Sequence, residues 1–401
     1  MRTIGSLLAV VAISTIAACG RTATSGPAAL ADPIGDDGDV KDTITRELQD
    51  DVLASYERDD PPDVDTGMIS AAIGAARIGV GPGDVLVADE LHRAPSRWPL
   101  RIERDMPNEI RSKRLETHLA QDQSAAWVVD ELSWRIRMCG RTAVIPLRLT
   151  ALYARDGDRW VQVVEHVSFG SPPTPRRDGE LYGKTVPPGS IPDSGDLRDE
   201  LSRVVSPLFS SAPRNANAIA SGPEGVLLGP EIESEWHGVD VLTARLPIAK
   251  FEERRIGTIG RSLASSTIAY WVGNIVADVP ARPGVAAGKA RLRVTFVFEH
   301  RRLVEHDVSS DDDPSAKRAT PEAKSCAADP EGCRWVLVQG HVSQPVGDQD
   351  LALKVFGTAL MSSNLEGGEP LRLTCDDGAA ATPPRRPTAT TPATKPTTKS
   401  K

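Results

Sequence analysis

The chain has 401 residues, a formal net charge of −8 and only 4% aromatic residues. This length is enough for two domains of ordinary size. The acidic balance argues against a general nucleic-acid-binding protein, which needs a basic surface to hold phosphates.

The first twenty residues, MRTIGSLLAVVAISTIAACG, have the features of an export signal. A positive charge at Arg2 precedes an apolar run over 7–13, which is too short to span a bilayer, and small residues precede Cys19. The stretch Ile16-Ala17-Ala18-Cys19 resembles a bacterial lipobox. That resemblance implies that residues 1–18 are a signal peptide and that Cys19 is the lipidated first residue of the mature protein. The alternative is an ordinary signal cleaved near Ala17-Ala18, with Cys19 incidental.

The lipobox resemblance predicts where the protein resides. Residues 19–38 are small, polar and rich in turn formers, as expected of a flexible tether. We expect a lipid-anchored protein of the bacterial cell envelope that faces the periplasm or the exterior. Residues 366–401 form a C-terminal segment that ends in a Thr/Pro-rich tail predicted to be disordered.

Helix and strand patterns follow one another in a repeated order. The first helix is predicted within 40–59 from an apolar stripe of Ile44, Leu48, Val52 and Tyr56. Alternating residues over 146–153 predict a strand, and 154–158 predict a hairpin turn. A second helix is predicted over 196–209 and a last one over 348–361. The order of helices followed by an antiparallel meander predicts an α+β fold.

Segments from the first part of the chain recur in the second part. WVQVVEHVSFG (160–170) matches WVLVQGHVSQP (335–345), AAWVVDEL (125–132) matches AYWVGNIV (269–276), and PLRLTALY (146–153) matches RLRVTFVF (291–298). Upstream, GPGDVLV (81–87) matches GPEGVLL (222–228). Three of the four segments keep a nearly constant offset, and a polar insertion in the second copy accounts for the larger offset of the last; together they indicate a duplicated domain.

The repeat suggests domain boundaries. We predict a first domain over 39–171, a linker over 172–195 and a second domain over 196–365. The second copy carries a polar loop insertion at about 300–333.

The closing strands resemble a known family. A strand, an Arg-Asp-Gly turn (155–157) and Trp-x5-His-x-Ser resemble the last hairpin of SnoaL-like proteins, members of the nuclear transport factor 2-like superfamily. The association domain of calcium/calmodulin-dependent protein kinase II ends similarly. The residues that carry the resemblance are Arg155, Asp156, Gly157, Trp160, His166 and Ser168, with Trp335, His341 and Ser343 in the second copy. The resemblance implies two tandem cone-shaped curved antiparallel sheets wrapped around N-terminal helices. It also implies that the two domains pair through their sheets as an intramolecular pseudo-dimer.

The repeated histidines, His166 and His341, are the first candidates for a ligand site. An imidazole in a cavity could act as a general acid or base near neutral pH. The alternative is a structural histidine hydrogen-bonded within the sheet. Strict alternation places Trp160, Gln162, Val164, His166 and Ser168 on one face. The opposite, valine-rich face resembles core, which would direct the histidine face towards a sheet–sheet interface; the sequence does not decide which face lines the cavity. Ser343, Trp127 and Trp271 complete this set of candidates.

Arg148 and Arg293 recur in the middle of strands, where an arginine usually pairs with a carboxylate or binds an anion. Asp130, Glu131 and Glu165 are the possible partners in the first copy, whereas alignment assigns Asn274, Ile275 and Gly340 to the second. Acid–base chemistry, if present, would therefore belong to the first domain. The resemblance to isomerase-type and cyclase-type relatives indicates Asp130 and Tyr153 as candidates there.

Cysteines apart from Cys19 number four, an even count that suggests disulfides in an exported protein. Cys326 and Cys333 could close a small ring, which leaves Cys139 with Cys375; free thiols are the alternative.

The spacing of His300 and His306 supports no metal site. The sequence contains no motif for a phosphate or another cofactor.

These observations favour a non-catalytic module of the envelope that binds a small apolar molecule or an envelope protein, or acts as a scaffold. The alternative is an isomerase, dehydratase or cyclase with its site in the first domain.

Overall fold

The computed structural model describes residues 37–57, 75–87, 90, 108–138, 141–176, 179–190, 195–259, 266–302, 326, 332–347 and 350–351. The predicted signal peptide, Cys19, the tether, Cys139, Cys375 and the C-terminal tail lie outside these residues. So do most of the predicted insertion and most of the helix predicted over 348–361.

Two α-helices each present an apolar stripe to a sheet. Helix α1 spans Asp37–Glu57, and its predicted stripe of Ile44, Leu48, Val52 and Tyr56 is buried. Helix α2 spans Gly195–Val205, buries Leu197, Leu201 and Val205, and continues into a 3-10 turn at Ser206–Phe209. Both stripes follow the helical period, as expected for helices that cover one face of a sheet.

The first sheet contains six strands in the order β2-β1-β6-β5-β4-β3. Their bounds are β1 Ala76–Ile78, β2 Val85–Val87, β3 Asn108–Leu119, β4 Ala125–Met138, β5 Arg141–Asp156 and β6 Arg159–Ser168. Strands β3 to β6 form an antiparallel meander, and β1 lies parallel to β6. The β5–β6 hairpin turns at Gly157, which has a φ of 66°. Glycine adopts this left-handed conformation without steric cost.

The second sheet contains seven strands in the order β7-β10-β11-β12-β13-β8-β9. Their bounds are β7 Gly189–Ser190, β8 Val226–Leu228, β9 Glu235–His237, β10 Ala249–Ile259, β11 Ile268–Val279, β12 Gly288–Arg302 and β13 Cys333–Ser343. Strands β10 to β13 again form a meander, and β8 lies parallel to β13. Each sheet is mixed, and in the described residues neither closes into a barrel. The fold is therefore α+β, mostly sheet with few helices.

The pairing of the short strands corrects one sequence match. Ile78 of β1 lies opposite His166, and Leu228 of β8 lies opposite His341. Residue 78 therefore corresponds to residue 228, and the match of 81–87 with 222–228 is wrong. The alignment had been based on the Gly-Pro dipeptide that both segments contain, and the strand pairing shows a different alignment.

The tryptophan match was also wrong, by one residue. Glu131 pairs with Arg148, and Asn274 pairs with Arg293, so Trp127 corresponds to Tyr270 rather than to Trp271. A one-residue slip in a strand moves a side chain to the other face of the sheet. Accordingly, Trp127 packs between the two sheets, whereas Trp271 packs in the core beneath α2.

A bulge in β6 overturns the predicted alternation over 160–168. Leu152 pairs with Val164 and Tyr153 pairs with Gln162, so Val163 is an extra residue in the ladder. An extra residue reverses the face of the side chains that follow it. Trp160 therefore packs on the helix side with the apolar core. His166 and Ser168 project from the opposite face, towards the second sheet.

The described residues form three main apolar clusters. One lies between α1 and the first sheet, and one lies between α2 and the second sheet. The third contains side chains of both sheets, including Trp127, Leu152, Tyr270 and Val297, and lies between them. Val346 and Leu351, which follow the last strand, pack in the first cluster, so the chain returns to the first half.

A connecting segment contacts both halves of the chain, and a disulfide joins two cysteines that lie 7 residues apart in the sequence. Residues 179–190 contact both halves: the Lys184 ammonium donates to the Val85 carbonyl, and the Val186 N–H donates to the Asn274 side chain at 2.6 Å. A disulfide joins Cys326 to Cys333 at the start of β13.

Within the described residues no helix is long and apolar enough to cross a membrane.

Candidate functional site

Two stacked imidazoles lie at the centre of the contact between the sheets. The ring centroids of His166 and His341 are 3.8 Å apart, and the ring planes differ by 18°. His166 Nε2 is 2.7 Å from the Ser343 hydroxyl, and His341 Nε2 is 2.8 Å from the Ser168 hydroxyl. Each histidine thus bonds to the serine that follows the other histidine.

The second nitrogen of each ring has a matching partner. His166 Nδ1 is 3.2 Å from the Thr295 hydroxyl, and His341 Nδ1 is 3.0 Å from the Thr150 hydroxyl. Thr150 pairs with His166 and Thr295 pairs with His341 in their own sheets, so the four bonds follow a two-fold pattern. Contacts that repeat in this way are characteristic of an isologous interface.

The repeated arginines extend the same two-fold pattern. The Arg148 guanidinium donates to the carbonyls of Gly229, Glu231 and Ser234, in and beside the β8–β9 turn. The Arg293 guanidinium donates to the carbonyls of Gly79, Gly81 and Pro82, in the β1–β2 turn.

Their partners differ from the expected ones. The sequence predicted a carboxylate or an anion as the partner of Arg148, but each guanidinium donates its hydrogen bonds to backbone carbonyls of the other half, and Glu131 acts on Arg148 only through its charge. Burial lowers the pKa of each arginine to about 10, so both stay charged at neutral pH.

The histidine pair is electrically neutral at ordinary pH. Burial lowers the pKa of both rings well below the usual value, and nearby cations lower it further. Both side chains are completely buried, and their ring nitrogens are bonded to hydroxyls of the protein. A catalytic base must reach a substrate, so this arrangement is suited to holding the sheets together rather than to catalysis.

A second polar group lies on the helix side of the first sheet, where Asp130 occurs among apolar residues of β4. Its Oδ2 accepts a hydrogen bond from the Tyr56 hydroxyl at 3.0 Å, and its Oδ1 accepts one from the Ser112 hydroxyl at 3.0 Å. The Arg114 N–H contributes a longer bond of 3.4 Å. Tyr56 comes from the last turn of α1, so the helix and the sheet both hold this carboxyl group.

The carboxyl group of Asp130 is poised to exchange a proton near neutral pH. Burial raises its pKa to about 6, although the bonds from Ser112 and Tyr56 act in the opposite direction. No lysine or arginine of the described residues forms an ion pair with it. A buried acid of this kind is a recognised mark of functional sites.

A buried polar cluster occurs on the same side of the sheet. Arg77 Nε lies 3.1 Å from Glu165 Oε1, and both side chains are buried. The Gln162 amide donates to Glu165 Oε2 at 2.8 Å and makes a longer bond of 3.4 Å to the Tyr153 hydroxyl. The sequence alone did not indicate Arg77 or Tyr56 as site residues. The one available signal was that each is a polar or hydroxyl-bearing side chain within an otherwise apolar pattern.

At the equivalent positions of the described strands, the second half has uncharged residues instead. Strand pairing makes Gly273 the counterpart of Asp130, because Gly273 pairs with Val294 as Asp130 pairs with Leu149. Leu227 and Gly340, which pair with each other, replace Arg77 and Glu165. A Cβ atom on Gly340 would lie 2.6 Å from Leu227 Cδ1, so the leucine occupies the space of the missing acid.

Aromatic rings fill the core beneath α2. Trp271 lies 5.0 Å from Phe251 and 6.4 Å from Phe296 between ring centroids, and Phe209 lies 5.4 Å from Phe251. The Arg254 guanidinium lies 4.6 Å from the centroid of Trp271. Aromatic clusters of this kind contribute strongly to core stability.

The structure divides the candidates that the sequence grouped together. His166, Ser168, Arg148, His341, Ser343, Arg293 and Trp127 lie between the sheets, and the Trp127 indole donates to the Glu224 carbonyl. Asp130 lies beneath α1, and Trp271 lies beneath α2. No set of three or more His, Cys, Asp or Glu side chains in the described part of the chain is arranged to hold a metal ion.

No protein-family model matches the chain, and no curated protein matches it. Among solved structures, the CamKII hub homology domain of Chlamydomonas reinhardtii aligns with 16% identity and a TM-score of 0.23, over 33% of this chain and 97% of that one. An Ntf2-like protein involved in plasmid conjugation aligns with 12% identity and a TM-score of 0.17, over 60% of this chain and 78% of that one. At these TM-scores the two likenesses carry no argument about fold or function.

Proposed function

We propose that the protein is an envelope-anchored lipoprotein with two tandem domains of the nuclear transport factor 2-like, SnoaL-like type. In this proposal the first domain binds a small apolar or amphipathic molecule between α1 and its sheet. The second domain is a scaffold that supports the first. The lipid anchor at Cys19 rests on the lipobox resemblance.

The tandem arrangement is supported by strand order and by the contacts between the sheets. Each half has a helix, a four-stranded antiparallel meander and a short hairpin that joins the last strand in parallel. Equivalent residues of the two halves, such as Thr150 and Thr295, make equivalent bonds across the contact. A duplicated domain that pairs with its own copy accounts for both features.

The observation that carries the binding proposal is the buried carboxyl group of Asp130, whose equivalent in the second sheet is Gly273. Burying an ionisable group costs free energy, and a scaffold domain has no need of it. The second half shows that the same layout accepts glycine at this position, with aromatic residues filling the core. Ligand sites are typically apolar, with a few polar groups that orient the ligand.

A second candidate function is acid–base catalysis of the isomerase, dehydratase or cyclase type in the first domain. It is favoured by the pKa of Asp130, about 6, and by the phenol of Tyr56 bonded to it. A general acid or base works best when its pKa lies near the working pH.

Ligand recovery from the purified protein tests the binding proposal. The full chain is purified from its own envelope in detergent, and extracted small molecules are compared by mass spectrometry for three proteins. We expect one compound to accompany the wild type and Asp278→Asn, a control at an exposed aspartate of β11. Its yield should fall at least tenfold in Asp130→Asn. Equal recovery from all three proteins, or no specific compound from any, would contradict the proposal.

The recovered compound also separates the two candidate functions. When it is added back to ligand-free protein, a binding module returns it unchanged. Conversion to an isomer or a dehydrated product that Asp130→Asn abolishes would establish the enzyme instead.

A further inference from the structure

We propose that the stacked pair of His166 and His341 is an acid-sensitive latch, which holds the two sheets together at neutral pH and releases them when the pH falls. The inference goes beyond the proposed ligand site and does not depend on it. It concerns the contact between the sheets, where both rings are completely buried.

The stacking geometry opposes a positive charge on both rings at once. With the ring centroids 3.8 Å apart, protonation of both imidazoles would place two like charges in contact, away from water. The hydrogen bonds of the neutral pair are complete, since each of the four ring nitrogens meets a hydroxyl of Thr150, Thr295, Ser168 or Ser343. Hydroxyls supply no negative charge to offset a proton.

Other charges that face the pair act against protonation. On β5 and β12 the nearest ionised groups are Arg148 and Arg293, which are cations. On β6, Glu165 is bonded on the helix side to Arg77 and Gln162. On β1 and β8, the residues paired beside the histidines are Ile78 and Leu228.

The acids of the neighbouring turns interact with the arginines rather than with the histidines. Asp84, on the first turn, offsets the charge of Arg293. Glu233 and Glu235, on the second turn, offset that of Arg148, as does Glu131 on β4. Burial and neighbouring cationic groups, rather than these acids, lower the pKa of the two imidazoles. On β13, the residues two positions before and after His341 are Gln339 and Ser343, which carry no charge. The closed contact therefore accommodates the two histidines only in their neutral form.

Proton linkage gives the size of the effect. An exposed histidine takes up a proton below about pH 6.5, whereas the closed pair does not. Each histidine then raises the equilibrium constant for opening roughly tenfold per pH unit, and the pair raises it roughly 100-fold. The stability that the neutral pair provides is present above pH 6.5 and is lost progressively as the pH falls below it.

Opening would expose an apolar surface. Trp127 and Leu152 on one sheet, and Tyr270 and Val297 on the other, are buried in the cluster between the sheets. Acidification would thus turn a closed pair of domains into a form with two apolar faces.

Urea unfolding of the full chain between pH 7.5 and 5 tests the latch. We compare the wild type with the double variant His166→Gln/His341→Gln and with His237→Gln, a partly exposed control histidine next to Glu235. Asp130 titrates in the same range but is present in all three proteins, so it cancels in the comparison. Below pH 6 the unfolding constant of the wild type should rise about 100-fold more per pH unit than that of the double variant. The control should follow the wild type, and equal slopes for the wild type and the double variant would overturn the proposal.

Two further measurements apply even if the double variant fails to fold. Each single variant, His166→Gln or His341→Gln, keeps one histidine. Below pH 6 its unfolding constant should rise about tenfold less per pH unit than that of the wild type. In the wild type, the imidazole C2–H signals of both residues should keep their neutral positions until the native spectrum disappears. A signal that titrates near pH 6.5 within an intact native spectrum would overturn the proposal.

Discussion

At the scale of single residues, Asp130 distinguishes the two halves and gives the first prediction. Its folded-state pKa of about 6 exceeds that of an exposed aspartate, so the folded protein favours the protonated form. The cost of ionisation is absent below about pH 4, grows as the pH rises to about 6, and is constant above that.

Asp130→Asn removes this cost and keeps a group that the Tyr56 and Ser112 hydroxyls can bond. We expect the variant to gain about 3 kcal/mol of unfolding free energy at pH 7.5 and little at pH 4, as measured by urea denaturation. The gain would be accompanied by loss of the ligand, as is usual when a functional residue is replaced. A loss of stability at pH 7.5 would show that the carboxylate is a structural group.

Two buried arginines give the second prediction at this scale. Arg148→Met or Arg293→Met leaves three backbone carbonyls without their donors in each case. We expect each variant to lose about 3 kcal/mol of unfolding free energy. The control Arg159→Met removes an exposed partner of Asp156 and should change stability by less than about 0.5 kcal/mol. Losses below about 1 kcal/mol in both buried variants would contradict the two-fold contact.

At the scale of secondary structure, the pairing of β8 with β13 gives a third prediction. Gly340 leaves space for Leu227, and a Cβ atom there would lie 2.6 Å from Leu227 Cδ1. We expect Gly340→Ala to cost about 1–3 kcal/mol through overpacking. Gly83→Ala is the matched control, since nothing lies within 4 Å of its added methyl group, and it should be neutral or slightly stabilising. Equal thermal midpoints for the two variants would contradict this packing.

Helices and faces of strands were predictable to different degrees. The stripe of Ile44, Leu48, Val52 and Tyr56 predicted α1, because four residues at helical spacing tolerate small errors in the boundaries. The face of Trp271 was not predictable, since a one-residue difference in register reverses it. The bulge at Val163 was also hidden, because valine fits either face of a strand.

The roles of the candidate residues depended on information beyond their own strands. The repeated histidines were visible in the sequence, but their hydroxyl partners lie between 129 and 191 residues away in the chain. Tyr56 was predicted as a core residue of α1, and only the position of the helix against β4 makes it a partner of Asp130. Contacts between elements determine such pairs, and a local pattern does not.

At the scale of the whole molecule, the apolar surface between the sheets gives a fourth prediction. The first half expressed alone, residues 39–190, would expose Trp127, Leu152 and Val164, and would lose the packing of Leu351. A large exposed apolar surface promotes association. We expect this half to self-associate in sedimentation experiments at micromolar concentration, whereas a stable, cooperatively folded monomer would contradict the prediction.

In the function proposed here, two similar halves form one body and only the first half carries a ligand site. Native mass spectrometry of the full chain, released gently from detergent, tests it most directly because it counts ligands on each chain. We expect one small molecule per chain in the wild type and none in Asp130→Asn. Two molecules per chain, or one that persists in Asp130→Asn, would contradict it.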